Sequence, residues 1–147
     1  MSLTIRTAEA ADEAAFRTLW QGYLDFFRTT LAPGITDTTW ARILDPASPL
    51  TARLAVTGDG VRGFALHHTH LSTWSIAPDC TLEDLFIAPE TRGQGIGRAL
   101  IDDLISLCRQ NGWPRLYWHT HETNATARRL YNRYSQADGF VRYRIPL

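Results

Sequence analysis

Apolar residues recur along this chain at two periods, near two and near 3.6 residues, and the switches between them mark out alternating strands and helices. Leu3 to Thr7 reads as a first strand, and Asp12 caps a helix whose apolar positions are Ala15, Phe16, Leu19, Trp20, Tyr23 and Phe27. A turn at Pro33-Gly34 leads to a short helix from about Thr38 to Leu44. Ala52 to Thr57 and Val61 to His68 are strands joined across Gly58-Asp59-Gly60, a strong antiparallel hairpin signal. Leu82 to Ile87 follows as a strand, Gly95 to Gln110 as a helix with apolar Ile96, Leu100, Leu104 and Leu107, and Leu116 to Thr120 as a strand. A helix from Asn124 to about Tyr134 precedes a last strand, Val141 to Ile145. No repeat or linker interrupts the order, which predicts one α/β domain over residues 1–147, an α+β sandwich with a mixed sheet.

Length and composition narrow the classes. At 147 residues the chain buries a substantial core, and no apolar run approaches the roughly 18 residues of a membrane span. With no charged-then-apolar leader at the start, the expectation is a soluble cytoplasmic protein without membrane association. Fifteen basic and fifteen acidic side chains cancel, so no overall field draws in nucleic acid. Every basic side chain but histidine is Arg, and with no Lys the chain cannot form a lysine Schiff base. Cys80 and Cys108 lack C-x-x-C spacing and imply neither a disulfide framework nor a zinc ribbon; Cys108 falls on a core position, Cys80 at a partly exposed one.

Candidate chemistry concentrates between Leu82 and Leu100, where a strand runs into the glycine-punctuated turn Arg92-Gly93-Gln94-Gly95-Ile96-Gly97-Arg98 and then a helix. Glycines at alternate positions let backbone approach a ligand, and the helix start offers unpaired N–H groups and a positive dipole end, worth roughly 0.3–2 kcal/mol to an anion. The turn lacks the Gly-Lys-Ser/Thr of a P-loop and does not fit G-x-G-x-x-G in either register. Arg-x-x-Gly-x-Gly, from Arg92 to Gly97, instead resembles the pyrophosphate loop of the GNAT N-acetyltransferases, which bind acetyl-coenzyme A. A second signature follows, in which the strand Leu116-Tyr117-Trp118-His119 leads to Asn124 and, seven residues on, to Tyr131, on one helix face.

The resemblance extends from Leu3-Thr4-Ile5-Arg6 to Phe140-Val141-Arg142-Tyr143-Arg144, and two stretches, His70 to Ser75 and Gly139 to Tyr143, look like a subgroup related to the yeast histone and polyamine acetyltransferases. It departs from the commonest pattern in the longer interval between Tyr131 and Gly139-Phe140. The resemblance implies a mostly antiparallel twisted sheet flanked by helices, splayed between the strand carrying Glu83 and the strand carrying Trp118, with acetyl-coenzyme A in the gap and no metal. By the same resemblance, backbone groups of Leu85, Phe86 and Ile87 meet the pantetheine arm, amides from Arg92 through Gly93, Gln94, Gly95, Ile96 and Gly97 to Arg98 surround the pyrophosphate, Arg92 and Arg98 add charge, and Asn124 and Tyr131 meet the arm and its sulfur. A homodimer is also implied.

Acetyl transfer to an amine needs a base for the ammonium, a polarised carbonyl and a proton for the departing thiolate. Glu83 is the leading base, a role that contributes about 10²–10⁴ in rate. Asp84 is the alternative, since alternation sends adjacent side chains to opposite faces. Tyr131 is the acid, since a phenol stays protonated at neutral pH. Glu83, Asp84, Asp79 and Glu122 favour a cationic acceptor, with Tyr23, Phe26 and Trp74 as walls and His119 as a further lining residue. His67, His68 and His70 on one strand, and His119 and His121 on another, have chelating spacing without a metal signature. The acceptor is a small primary amine, polyamine-like or amino-acid-like; a protein amine and a non-catalytic cofactor-binding module are the alternatives.

Overall fold

A computed structural model describes residues 2–147. Its elements run β1 (Thr4–Thr7), α1 (Glu13–Phe26), α2 (Ile35–Leu44), β2 (Thr51–Thr57), β3 (Gly60–His70), β4 (Asp79–Ile87), α3 (Ile96–Asn111), β5 (Leu116–Tyr117) and α4 (Ala125–Tyr131). The strands form one sheet in chain order, antiparallel from β1 to β4, with β5 parallel to β4. The β2–β3 hairpin turns at Gly58-Asp59, and Gly60 takes a left-handed φ of 103° that only glycine adopts without strain.

Helices cover both sheet faces, as the two periodicities require. On one, α1 and α2 set Phe16, Leu19, Trp20 and Trp40 against Leu54, Phe64, Leu66 and Phe86. On the other, α3 sets Ile96, Leu100, Ile101, Leu104 and Cys108 against the small Ala55 and Ala65 and against Cys80 and Leu82. Phe16, Phe64, Leu100 and Leu104 are fully buried, and each such side chain contributes about 1.5–3 kcal/mol relative to exposure. Among the described residues no helix is long and apolar enough to cross a membrane.

Five local expectations need correction. Asp12 opens α1 without capping it through its side chain; its carboxylate instead accepts from the Glu9 amide at 2.8 Å and from Arg6 at 2.8 and 2.9 Å. Cys80 is fully buried, because β4 begins at Asp79 rather than Leu82 and carries it into the α3-side core. β5 stops at Tyr117, so His119 and His121 lie in the loop that follows and not on a strand. The last helix ends at Tyr131, three residues early, its backbone closing in tight turns onto Leu130 and Tyr131. Val141 to Ile145 is not a strand: a strand exists only by pairing, and this segment meets no sheet edge in a single chain.

Candidate active site

Glu83 is an extra residue in β4. In the β3–β4 ladder Leu66 pairs with Asp84 and His67 with Leu82, which leaves Glu83 opposite nothing. Inward and outward positions therefore exchange at this point. Cys80 and Leu82 pack on the α3 side; beyond the bulge it is Leu85 and Ile87 that do so, while Phe86 turns to α1. The expectation that Glu83 and Asp84 face opposite sides is overturned by this slip. Both carboxylates stand on the α1 face, Glu83 accepting from His68 Nε2 at 3.0 Å and Asp84 from the Tyr23 hydroxyl at 2.5 Å. His68 shares that face because it continues the Phe64, Leu66 alternation.

The two carboxylates have different surroundings. Glu83 is exposed and Asp84 half-buried. Burial pushes the Asp84 carboxyl up to about 6, with the Tyr23 hydrogen bond pulling the other way and the Glu83 charge adding to the rise. Tyr23 is held well above the ordinary phenol range, by burial first and then by the charge of Asp84, with Glu83 and Tyr131 also within electrostatic reach. Its ring is fixed by stacking on Trp20 at 5.0 Å and by an edge contact with Phe86 at 6.1 Å.

The opening beside this pair arises from the end of β5. Only Cys80 and Thr81 pair with β5, through Leu116 and Tyr117, so β4 from Leu82 to Ile87, including Leu85, Phe86 and Ile87, has no strand on that side. On the far wall Tyr131 ends α4, half-buried with its ring 5.3 Å from Trp118, and burial raises its hydroxyl above the usual phenol value. Asn124 is the N-cap, accepting from the Ala127 amide at 3.3 Å and donating to Thr120 at 3.4 Å. Its carbonyl is thus committed to the helix.

At the end of β4 the glycine turn meets α3. Gly93 and Gly95 have φ of 79° and 81°, and a Cβ at either would meet nothing within 4 Å, so the space over the turn is open. The amides from Gly93 to Arg98, including Gln94, Ile96 and Gly97, have no partner among the described residues, whereas Ala99 already bonds to Gly95 O. α3 has no side-chain cap and no acid in its first turn. The cradle is free to take an anion. The Arg92 amide is excluded from it, bonded to Pro89 O at 3.4 Å, and its side chain turns toward Phe86 and Phe26. Arg98 is exposed and pairs with Asp102 at 3.8 Å.

Other expected residues fall elsewhere. Asp79 is buried and clamped by Arg115 at 2.7 Å, which makes it a structural ion pair and removes it from the cleft. Trp74 is 82% exposed and lies over that same Arg115, at the opposite end of β4 from the turn. Phe26 is half-exposed against Phe27 at the end of α1. His119 meets the edge of Tyr117, whose hydroxyl is 2.7 Å from His70 Nε2, and Glu122 is exposed. His67 is a core residue, pushed down to about 4 by burial and so neutral. His68 was not singled out from the sequence as a site residue, though its parity with Leu66 would have placed it.

Comparisons with known proteins agree with this geometry. A profile described as the acetyltransferase (GNAT) family matches residues 14–135. The chain is 33% identical over 145 residues to a D-amino-acid N-acetyltransferase of Saccharomyces cerevisiae, covering 97% of this chain and 89% of that one. It is 34% identical over 79 residues to a thialysine N-epsilon-acetyltransferase of Caenorhabditis elegans, 54% of this chain and 49% of the relative. In fold it is similar to a ribosomal-protein-alanine N-acetyltransferase from Brucella melitensis, with a TM-score of 0.83, 20% identity and complete coverage of both chains. With the family profile across most of its length and a full-length relative of this similarity, the chain belongs to the acetyltransferase (GNAT) family of acyltransferases.

Proposed function

We propose that the protein is an acetyl-coenzyme A-dependent N-acetyltransferase acting by direct attack of a small primary amine, and that the acceptor is of amino-acid type. The observation that carries this reading is the coincidence along β4 of the bulge at Glu83, which turns two carboxylates to one face, with the loss of β5 as a neighbour after Thr81. The 33% identity to a D-amino-acid N-acetyltransferase over 97% of the chain favours an amino acid over a polyamine.

The free amides of Gly93 to Arg98 suit a pyrophosphate, and the unpaired edge of β4 at Leu85, Phe86 and Ile87 suits an amide-bearing arm. When bound, the cosubstrate supplies an activated acetyl thioester. The chain's own residues manage protons. Asp84, with its pKa near 6, is ionised at neutral pH yet basic enough to take a proton from the acceptor ammonium. Glu83 and His68 form a second, exposed pair beside it that passes the proton to solvent. This reading gives Asp84 the first step and Glu83 the next. Tyr131, protonated and half-buried on the opposite wall, donates to the leaving sulfur.

Thiol release from acetyl-coenzyme A, measured with polyamines, amino acids of both hands, aminoglycosides and a basic peptide, tests the reading. Saturable release with amino acids supports it, and Tyr131→Phe and Asp84→Asn each lower kcat at least about tenfold. Tight cofactor binding by calorimetry with no release from any amine would favour a binding module instead.

A further inference from the structure

We infer that the rings of Tyr117, His70 and His119 form a wall for the acceptor's side chain, so that the site selects amino acids with a large apolar side chain, aromatic above all; the inference rests on the acyl-transfer reading above. In the neutral imidazole, His70 Nδ1 donates to Leu71 O at 2.8 Å, which leaves Nε2 to accept from the Tyr117 hydroxyl at 2.7 Å. That bond reaches from β5 to β3, across the strand between them. It passes over the region of Thr81, which pairs with His68 on one side and Tyr117 on the other and is only 5% exposed.

The rings lie on the face that carries the two carboxylates. His70 continues the Phe64, Leu66, His68 alternation toward α1, and Tyr117 falls between Leu116 and Trp118, which both pack on the α3 side. Glu83 follows Thr81 by two residues, about 7 Å along β4. Its carboxylate meets His68, the lateral neighbour of Thr81. One surface therefore runs from Glu83 through His68 to Tyr117 and His70. Glu83, His70, Tyr117 and His119 are exposed and His68 is half-buried, so this surface is open to a ligand. The Tyr117 ring is fixed by edge contacts with His70 at 5.8 Å and His119 at 5.9 Å, and its hydroxyl proton is committed to His70. What the wall offers is ring surface. An acceptor whose amine sits at Asp84 gains apolar contact and ring pairing there in proportion to its side chain, which alanine lacks and phenylalanine supplies.

The test measures thiol release from acetyl-coenzyme A with alanine, leucine and phenylalanine, each in both hands, in wild type, Tyr117→Ala, Tyr117→Phe and His70→Ala. Wild type is expected to favour phenylalanine over alanine by at least about tenfold in kcat/KM, with leucine between, as burial of a side chain against rings implies. In Tyr117→Ala that ratio collapses through the acceptor KM. Tyr117→Phe, which keeps the ring and loses only the hydroxyl, retains most of it, and His70→Ala, which unfastens the ring, falls between. A wild type that does not favour phenylalanine, a ratio undiminished in Tyr117→Ala and His70→Ala, or a loss that falls on the KM for acetyl-coenzyme A overturns the inference. Release with polyamines and no amino acid overturns it while leaving acyl transfer standing; no release with any amine removes both.

Discussion

Replacing Tyr23 with Phe removes one hydroxyl and tests whether Asp84 is the base. In the folded protein the Asp84 carboxyl sits at about 6, above its ordinary 3.8, because burial outweighs the Tyr23 hydrogen bond that favours the ionised form. A hydrogen bond to a charged group is worth about 1.5–3 kcal/mol, and 1.36 kcal/mol corresponds to one pH unit, so its loss raises the carboxyl by roughly 1–2 units. Water entering the vacated space recovers part of this, and the expected position is about 7. The assay is kcat/KM for the acceptor from pH 5 to 9 at saturating acetyl-coenzyme A. Taking the ratio of variant to wild type on one acceptor cancels the acceptor's own titration. The acid limb should move to higher pH by about one unit, so the variant's deficit is largest at the acid end of the range, approaching about tenfold at pH 5, and shrinks above pH 8. An unmoved limb, or one displaced to lower pH, refutes the assignment, as does a limb near 6 that persists in Asp84→Asn.

Asp84 also carries a stability signature. Its folded pKa exceeds its unfolded value, so the native state binds more protons between the two; stability falls as pH rises from about 4 to about 6 and stays lower above. Asp84→Asn should therefore be more stable than wild type by about 1–3 kcal/mol at pH 7, the gap closing below pH 4, in denaturant titrations at both pH values; a constant gap contradicts the assignment. Gly95→Ala places a Cβ at a φ of 81°, so about 1–2 kcal/mol of stability should be lost in thermal melts. The same variant should raise the KM for acetyl-coenzyme A at least about tenfold, because the reshaped turn no longer aims its amides; an unchanged KM would detach the turn from the cofactor. Phe140, Val141, Tyr143 and Ile145 are 74–91% exposed, and a homodimer that covers them is expected. Light scattering on size-exclusion eluate should give twice the 16.6 kDa chain mass, and a monomer at micromolar concentration would remove the expectation.

What could be read from the sequence is what local chemistry determines. The β2–β3 hairpin follows from its Gly-Asp-Gly turn, α3 from its apolar stripe, and the anion cradle from glycines whose positive φ no other residue supplies cheaply. The helix that opens at Asn124 and carries Tyr131 follows likewise from local spacing. What escaped depends on pairing between distant segments. Alternation along β4 alone puts Glu83 and Asp84 on opposite faces, and only the β3 register reveals the extra residue. The Tyr23 hydrogen bond joins residues 61 positions apart, and Arg92 shows its direction only once Phe26 and Phe86 come together. Val141 to Ile145 has a strand's composition and no strand beside it, which composition cannot register.

The bulge also connects the fold to the chemistry. Were β4 paired without a bulge, unbroken alternation from Leu82 through Glu83 would turn Asp84 toward α3, into a core of Leu82, Leu100 and Leu104, where an ionised carboxylate has no partner. The slip moves it to the α1 side, where Tyr23 supplies a donor and His68 a neighbouring titratable group. It also lets Leu85 and Ile87 continue the α3-side core that Cys80 and Leu82 began. The bulge thus absorbs one extra position, keeping both apolar layers continuous while setting two carboxylates side by side near the edge where β5 ends. Deleting Glu83 should for that reason leave a plain ladder, with Leu66 still opposite Asp84 and His67 opposite Leu82 and every other side chain on its present face, so the variant keeps a sharp, cooperative melt as Glu83→Gln does. If the deletion variant loses cooperativity while Glu83→Gln melts sharply, the register argument is wrong.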